Sequence, residues 1–205
     1  MTARAINVLT FEDISGMANA IGPVPSQSQL STQYLPTYGV SFSSGSPYAA
    51  VVNVAGAAIS GVNTIGGSTP AGNLTYSSNN PVVATFYDPS HPSTAATTDF
   101  VSLRCDLVGS GFNVTLKAYG INNNLLTSFT TTDVGGETLQ VSASGIHSVQ
   151  FIGTDDGHGA TIDNFSFDTV VPVPEPATGT LMLFAGTILC GIWRKSNASR
   201  FVNQK

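Results

Sequence analysis

Side chains able to do chemistry are scarce in this chain: 9% of its 205 residues are charged, and it has three histidines and two cysteines. Carboxylates and an imidazole crowd together at Asp155-Asp156-Gly157-His158-Gly159. Such a group could hold a metal ion or form an acid/base pair, but it lacks the spaced acids of an EF-hand loop and any H-E-x-x-H spacing. A polar hairpin loop, with glycine for positive φ, accounts for the same residues. His147 starts a strand in phase with Val149 and Phe151, and His91 lies in the turn Asp88-Pro89-Ser90-His91-Pro92, each without a local partner. Cys105 alternates with polar neighbours alongside Val101, Leu103 and Leu107, so it reads as a small buried hydrophobe. A disulfide would have to join it to Cys190 in an apolar tail segment, so no disulfide framework is expected. No G-x-S-x-G elbow is present, and Gly56 to Gly67 has neither the ending nor the following helix of a phosphate loop. No pair of carboxylates is marked as a glycosidase couple. A non-catalytic protein is the expectation.

Asp163 raises a different question. It shares strand parity with Phe165 and Phe167, so it points to the face where those rings should pack. A carboxylate there is costly unless compensated by a cation or by donors at the sheet's end. Glu12 or Asp13, on the first strand, could share a cation with it if the first and last strands are neighbours.

The elements that would position these groups are short strands. With 21 Gly and 11 Pro, the chain suits turns better than long helices. Phe112, Val114, Leu116 and Ala118 share one face of a half-buried strand, and similar runs are Asn7 to Phe11, Val82 to Tyr87, Phe100 to Leu107, Leu125 to Thr131, Thr138 to Ala143, His147 to Gly153 and Thr161 to Phe167. Gly109-Ser110-Gly111, Asn122-Asn123-Asn124 and Gly135-Gly136 mark turns between them. An all-β antiparallel sandwich over 6–170 follows. Ala18 to Asn80 reads as long loops around two or three strands, among them Tyr38 to Phe42 and Ala49 to Val54.

The ends carry the targeting information. Through Val171, three basic residues stand against eleven acidic ones, leaving a body of −8, while the remainder carries +3. So acidic a body cannot build a phosphate-tracking surface, which excludes nucleic acid as a partner. Residues 177–193 contain no charge and reach ~25 Å as a helix at ~1.5 Å per residue, enough for one short transmembrane helix. Arg194 and Lys195 follow at once, so the tail 194–205 is expected in the cytoplasm and the body outside. The proline-rich stretch 171–176 reads as an exposed, extended spacer that joins neither ladder nor helix. Ala3-Arg4-Ala5 has the A-x-A form of a signal-peptidase site, so residues 1–5 are expected to be the end of a signal peptide.

The order Pro174-Glu175-Pro176, apolar span, Arg194-Lys195 resembles the PEP-CTERM sorting signal of Gram-negative bacteria. The body is similar to those of many such proteins through Leu9-Thr10-Phe11-Glu12-Asp13-Ile14, Tyr38-Gly39-Val40-Ser41-Phe42, the alternation Val114, Leu116, Ala118-Tyr119, then Ser144-Gly145-Ile146 with Ser148-Val149 and Phe151, and Ile162-Asp163-Asn164-Phe165-Ser166-Phe167. The resemblance implies a jelly-roll-like body of carbohydrate-binding-module type. It also implies recognition by exosortase, a membrane-embedded protease cleaving near Pro-Glu-Pro, and transient inner-membrane anchoring before release to the cell surface. By the same resemblance, Glu12, Asp13 and Asp163 match positions that hold a structural calcium ion in jelly-roll binding modules. The leading role is structural or adhesive, with exopolysaccharide as partner; a calcium-dependent, lectin-like module and a surface hydrolase are the alternatives. Tyr76, Phe86, Tyr87 and Tyr119 are the candidates for sugar-facing rings.

Overall fold

The computed structural model describes residues 5–53, 58–106, 113–132, 137–153 and 160–174. Its strands are β1 (Ile6–Leu9), β2 (Gln29–Leu30), β3 (Val40–Ser43), β4 (Ala49–Val52), β5 (Thr64–Ser68), β6 (Leu74–Thr75), β7 (Val82–Asp88), β8 (His91–Asp106), β9 (Val114–Tyr119), β10 (Leu125–Thr131), β11 (Glu137–Ile146), β12 (Ser148–Ile152), β13 (Thr161–Asp168) and β14 (Val171–Pro172). A single turn of helix, α1 (Leu35–Tyr38), precedes β3. The fold is all-β and every ladder between these strands is antiparallel, as the alternation predicts.

One layer runs β11-β8-β13, continues from β13 to both β1 and β5, and ends with β4 and β2. The other runs β10-β9-β12-β7-β3. The β7–β8 hairpin connects them, pairing Tyr87 with Ala95 and Asp88 with His91. Inward positions such as Val149, Ala84 and Ala118 on one layer and Leu103, Leu139, Phe165 and Phe167 on the other form a single buried core. Through it runs a chain of ring contacts, Tyr38–Tyr34–Phe42–Phe165–Phe167–Phe86, with centroids 5.3 to 6.4 Å apart. Each fully buried Phe contributes on the order of 1.5–3 kcal/mol by leaving water.

Three features depart from the sequence reading. β8 begins at His91 rather than near Phe100, because its Thr/Ala-rich first half is held by main-chain pairing to β7 and β14 rather than by apolar alternation. β4 is buried on both faces, since a second apolar cluster of Met17, Val24, Ala50, Val52 and Leu74 covers its outer side. The long stretch before Asn80 therefore wraps the sheet, and β5, a Gly-containing run of Thr64 to Ser68, lies beneath it. Gly66 lets the Tyr76 ring settle on that strand, because a Cβ there would sit 2.7 Å from Tyr76 Cε1. Third, Val171 and Pro172 join the sheet: they pair with Thr97 and Ala96 of β8, and Val173 N–H donates to Ala95 O at 2.8 Å. Proline is tolerated because β14 is a two-residue edge strand. The compact unit consequently runs to Val173. Among the described residues no helix is long and apolar enough to cross a membrane; 177–193 lies outside them.

Candidate functional site

β1 ends at Leu9, so Glu12 and Asp13 lie in the turn that follows it and not on the first strand as expected. The first and last strands are neighbours, with Leu9 of β1 facing Phe165 of β13. Beyond that pair the backbone leaves regular geometry on both sides, with Phe11 at φ 63° and Asn164 at φ 50°. Left-handed backbone costs about 1–2 kcal/mol per non-glycine residue, so surrounding contacts must hold it. They come from the loop 58–63. Asp163, 1% exposed, accepts the N–H groups of Ile59 and Ser60 at 2.9 and 2.6 Å on Oδ2 and that of Asn164 at 2.6 Å on Oδ1. Ser60 Oγ lies 3.1 Å from either oxygen of that carboxylate. Glu12 Oε1 accepts Val62 and Asn63 N–H at 3.0 and 2.9 Å, and Asn63 Nδ2 donates to Phe11 O and Ile14 O at 3.0 and 2.8 Å. Gly61, at φ 60°, rests so closely on Glu12 that a Cβ would lie 2.3 Å from its carboxyl carbon. Two carboxylates thus clasp one loop from opposite ends.

Asp163 therefore takes the second of the two options open to a buried carboxylate: it is satisfied by donors. The three acids do not fit the calcium arrangement implied by the resemblance. Calcium needs six to eight oxygens, whereas Asp163 and Glu12 turn oxygens toward main-chain N–H groups, and Asp13 Oδ1 accepts the Tyr34 hydroxyl. Among the described residues no three His, Cys, Asp or Glu side chains group to hold a metal ion. Burial, with the adjoining Asp13 carboxylate, pushes the Tyr34 hydroxyl well above the ordinary tyrosine range, so it remains a donor.

The ring candidates separate. Phe86 is fully buried in the core, and Tyr76 caps the second apolar cluster, with burial pushing its hydroxyl up to about 12. Tyr87 and Tyr119 are half-buried at outward positions of β7 and β9. The register across that layer aligns Tyr119, Ser148, Thr85 and Ser41 in one row, and Ser128, Lys117, Gln150, Val83 and Ser43 in the next. Tyr119 OH donates to Gln150 Oε1 at 3.3 Å, and Tyr87 meets the His147 ring edge-on at 6.0 Å. The outer face is thus a strip of hydroxyls, an amide and one ammonium, flanked by two tyrosines. Gln150 escapes sequence reasoning because only register brings it beside Tyr119, whereas Lys117, two residues before Tyr119 on β9, shares its face by alternation.

Several other polar groups among the described residues are held by hydrogen bonds within the fold. Asp168, 4% exposed, accepts the Thr98 hydroxyl and Asp99 N–H, while Asp99 accepts Gly145 N–H at 2.9 Å. Both line an open pocket of about 420 Å³. His147 Nδ1 lies 2.9 Å from Ala96 O, and His91, expected to lack a local partner, pairs with Asp88 three residues before it at 3.1 Å. Cys105 is buried, and desolvation, with Glu137 and Asp106 nearby, pushes its thiol up to about 12. Pro174 ends the described chain, so Glu175, Pro176, Arg194 and Lys195 lie outside the described residues, as does Asp155 to Gly159.

No protein-family model matches the chain, and no curated protein matches it. Among solved structures it is similar to the tandem CBM22-1–CBM22-2 domain of Paenibacillus barcinonensis Xyn10C, at 16% identity and a TM-score of 0.43, covering 85% of this chain and 49% of that one. A DUF4465 family protein from Bacteroides caccae matches at 12% identity and a TM-score of 0.38, covering 84% of this chain and 100% of that one. Arabinose-bound MgGH51 α-L-arabinofuranosidase matches at 12% identity and a TM-score of 0.37, covering 80% of this chain and 25% of that one. The chain spans about half the length of the first and a quarter of the last. At these scores the likenesses bear on neither ligand nor activity.

Proposed function

We propose that this chain is a non-catalytic, exported bacterial surface or matrix protein whose jelly-roll-like sandwich binds polysaccharide on the outer face of β9, β12 and β7. The observation that carries this reading is the placement of Tyr87 and Tyr119 on one sheet face around Lys117, Gln150 and a row of Ser and Thr hydroxyls. Tyrosine rings offer flat apolar surface to sugar rings, and the polar tips and neighbouring hydroxyls supply the few directional bonds that fix orientation. A screen against soluble glycans tests it. At least one polysaccharide should be bound by the parent chain and lost in Tyr119→Ala; release of reducing ends would instead move the protein among hydrolases.

Delivery follows from the tail. Pro174-Glu175-Pro176, the uncharged run to Trp193 and Arg194-Lys195 support sorting by an exosortase-type protease, with the body outside the inner membrane. β14 ends at Pro172 and Val173 N–H still donates to Ala95 O, so the Pro174-Glu175-Pro176 segment follows the last paired residue in the chain, which is compatible with this reading. In a host with exosortase, intact-mass measurement of the surface form should show loss of Trp193 and all that follows. Retention of the full C-terminus would leave a plain single-span anchor.

A further inference from the structure

A second recess lies away from that sheet face, where the end of β1 meets α1. It has a volume of about 250 Å³ and is lined by Tyr34, Tyr38, Glu12, Asp13 and the β1 residues Val8 and Leu9. The volume falls below the ~300 Å³ at which drug-sized ligands are held, so it admits a head group or a single ring. Its walls combine two features. Tyr34 and Tyr38 meet edge to face at 67° with centroids 6.1 Å apart, and the half-buried Tyr38 supplies the accessible aromatic surface. Tyr34 is 5% exposed and is fixed by Phe11 and Phe42, at 6.1 and 6.4 Å, and by its bond to Asp13.

Beside the rings stand two carboxylates, each committed to the protein through one oxygen only. Glu12 uses Oε1 for the loop amides and Asp13 uses Oδ1 for the Tyr34 hydroxyl, so among the described residues Oε2 and Oδ2 accept no hydrogen bond. Among the described residues no Lys or Arg lines the recess. Val8, 52% exposed, supplies an apolar shelf at its mouth.

From these features we infer that this recess binds an organic ammonium group. Aromatic faces within ~6 Å attract cations, most strongly those whose carbon framework can rest against the rings. The carboxylate oxygens supply the counter-charge and accept N–H donors. A bare calcium ion would find only a few of its six to eight oxygens here, with ring faces in place of the rest. The body's −8 charge attracts cations over distances near the Debye length. The amine could belong to a deacetylated amino sugar or to a choline-type head group.

Titration calorimetry and proton NMR on the full chain decide it, with a glucosamine oligosaccharide and choline as probes and the N-acetylated oligosaccharide, glucose and calcium as controls. One or both ammonium probes should bind at millimolar concentration, and whichever binds tighter identifies the source. N-acetylation should abolish binding of the amino sugar. Asp13→Asn and Tyr38→Ala should each weaken it by about fivefold or more, while Tyr38→Phe keeps most of it. Choline binding should be the same in Tyr119→Ala as in the parent, which separates this recess from the sheet face. Thermal melts of each variant confirm that the sandwich is intact, and Asp13→Asn keeps an acceptor for Tyr34 should Tyr38→Ala not fold. Equal binding of the N-acetylated sugar, indifference to both Asp13→Asn and Tyr38→Ala, binding of calcium in place of the ammonium probes, or no binding at tens of millimolar would each overturn the inference.

Discussion

Replacing Asp163 with alanine tests the clasp between the last strand and the loop 58–63. The substitution leaves the Ile59 and Ser60 N–H groups, now 2.9 and 2.6 Å from Oδ2, without their acceptor. An orphaned buried donor costs about 1–3 kcal/mol, and water can reach these half-buried residues in part, so the two together should cost about 2–4 kcal/mol. For a domain of this size each kcal/mol moves the melting point by about 2–4 °C, giving a fall of about 5–15 °C. Asp163→Asn keeps one acceptor oxygen and should lose roughly half as much. The assay is thermal unfolding of the full chain followed by circular dichroism, with calcium and with chelator. Because these carboxylates face amide donors, calcium should not move the midpoint. A resident ion at a hundredfold excess over its dissociation constant would add ~2.7 kcal/mol to the parent and nothing to Asp163→Ala. A midpoint for Asp163→Ala within about 2 °C of the parent, or a calcium-dependent rise in the parent that Asp163→Ala abolishes, would refute the reasoning.

Gly61→Ala should destabilise by at least the ~1–2 kcal/mol of left-handed backbone, and by more because the new Cβ meets the Glu12 carboxyl carbon at 2.3 Å; chemical denaturation measures it. Cys105, 1% exposed, should resist a thiol reagent at pH 8 in the native chain and react at once in denaturant. Its raised thiol pKa, about 12 against the ordinary 9, means the unfolded chain loses this proton first as pH rises; the folded state should weaken progressively between those values, and Cys105→Ala should reduce that slope. A reporter fused after Lys205 should behave as cytoplasmic and one inserted before Val171 as exported when a signal peptide is supplied; the reverse pattern would sink the topology.

Much of the sandwich is legible in the sequence because its strands alternate. Leu125 to Thr131 is β10 as expected, and β7, β12 and β13 match within a residue or two. The parity of Asp163 with Phe165 and Phe167 correctly buries it. What alternation cannot show is pairing without apolar contrast. The first half of β8 and the short β14 are held by main-chain bonds, and β5 contains Gly66 and Gly67, a composition that reads as loop. The partners of Asp163 are equally invisible, because the donors are the backbone N–H groups of Ile59 and Ser60, about a hundred residues away, and any residue type could provide them. Gly61 takes a positive φ that lets the loop reach Glu12, a feature a glycine in the sequence permits but does not announce. Tyr34 and Tyr38 do not announce a wall in the sequence, because their ring geometry depends on how α1 turns into β3.

The most direct test of the proposed function is the affinity of the purified chain for a polysaccharide found in the glycan screen, measured at equilibrium for the parent and for Tyr87→Ala combined with Tyr119→Ala. The parent should bind without shortening the polymer, and the double variant, melting at the parent's temperature, should lose at least about tenfold in affinity, the effect of about 1.4 kcal/mol. Equal affinity in the two, or no binding by the parent to any polysaccharide tested, would contradict a sugar-binding role for this face.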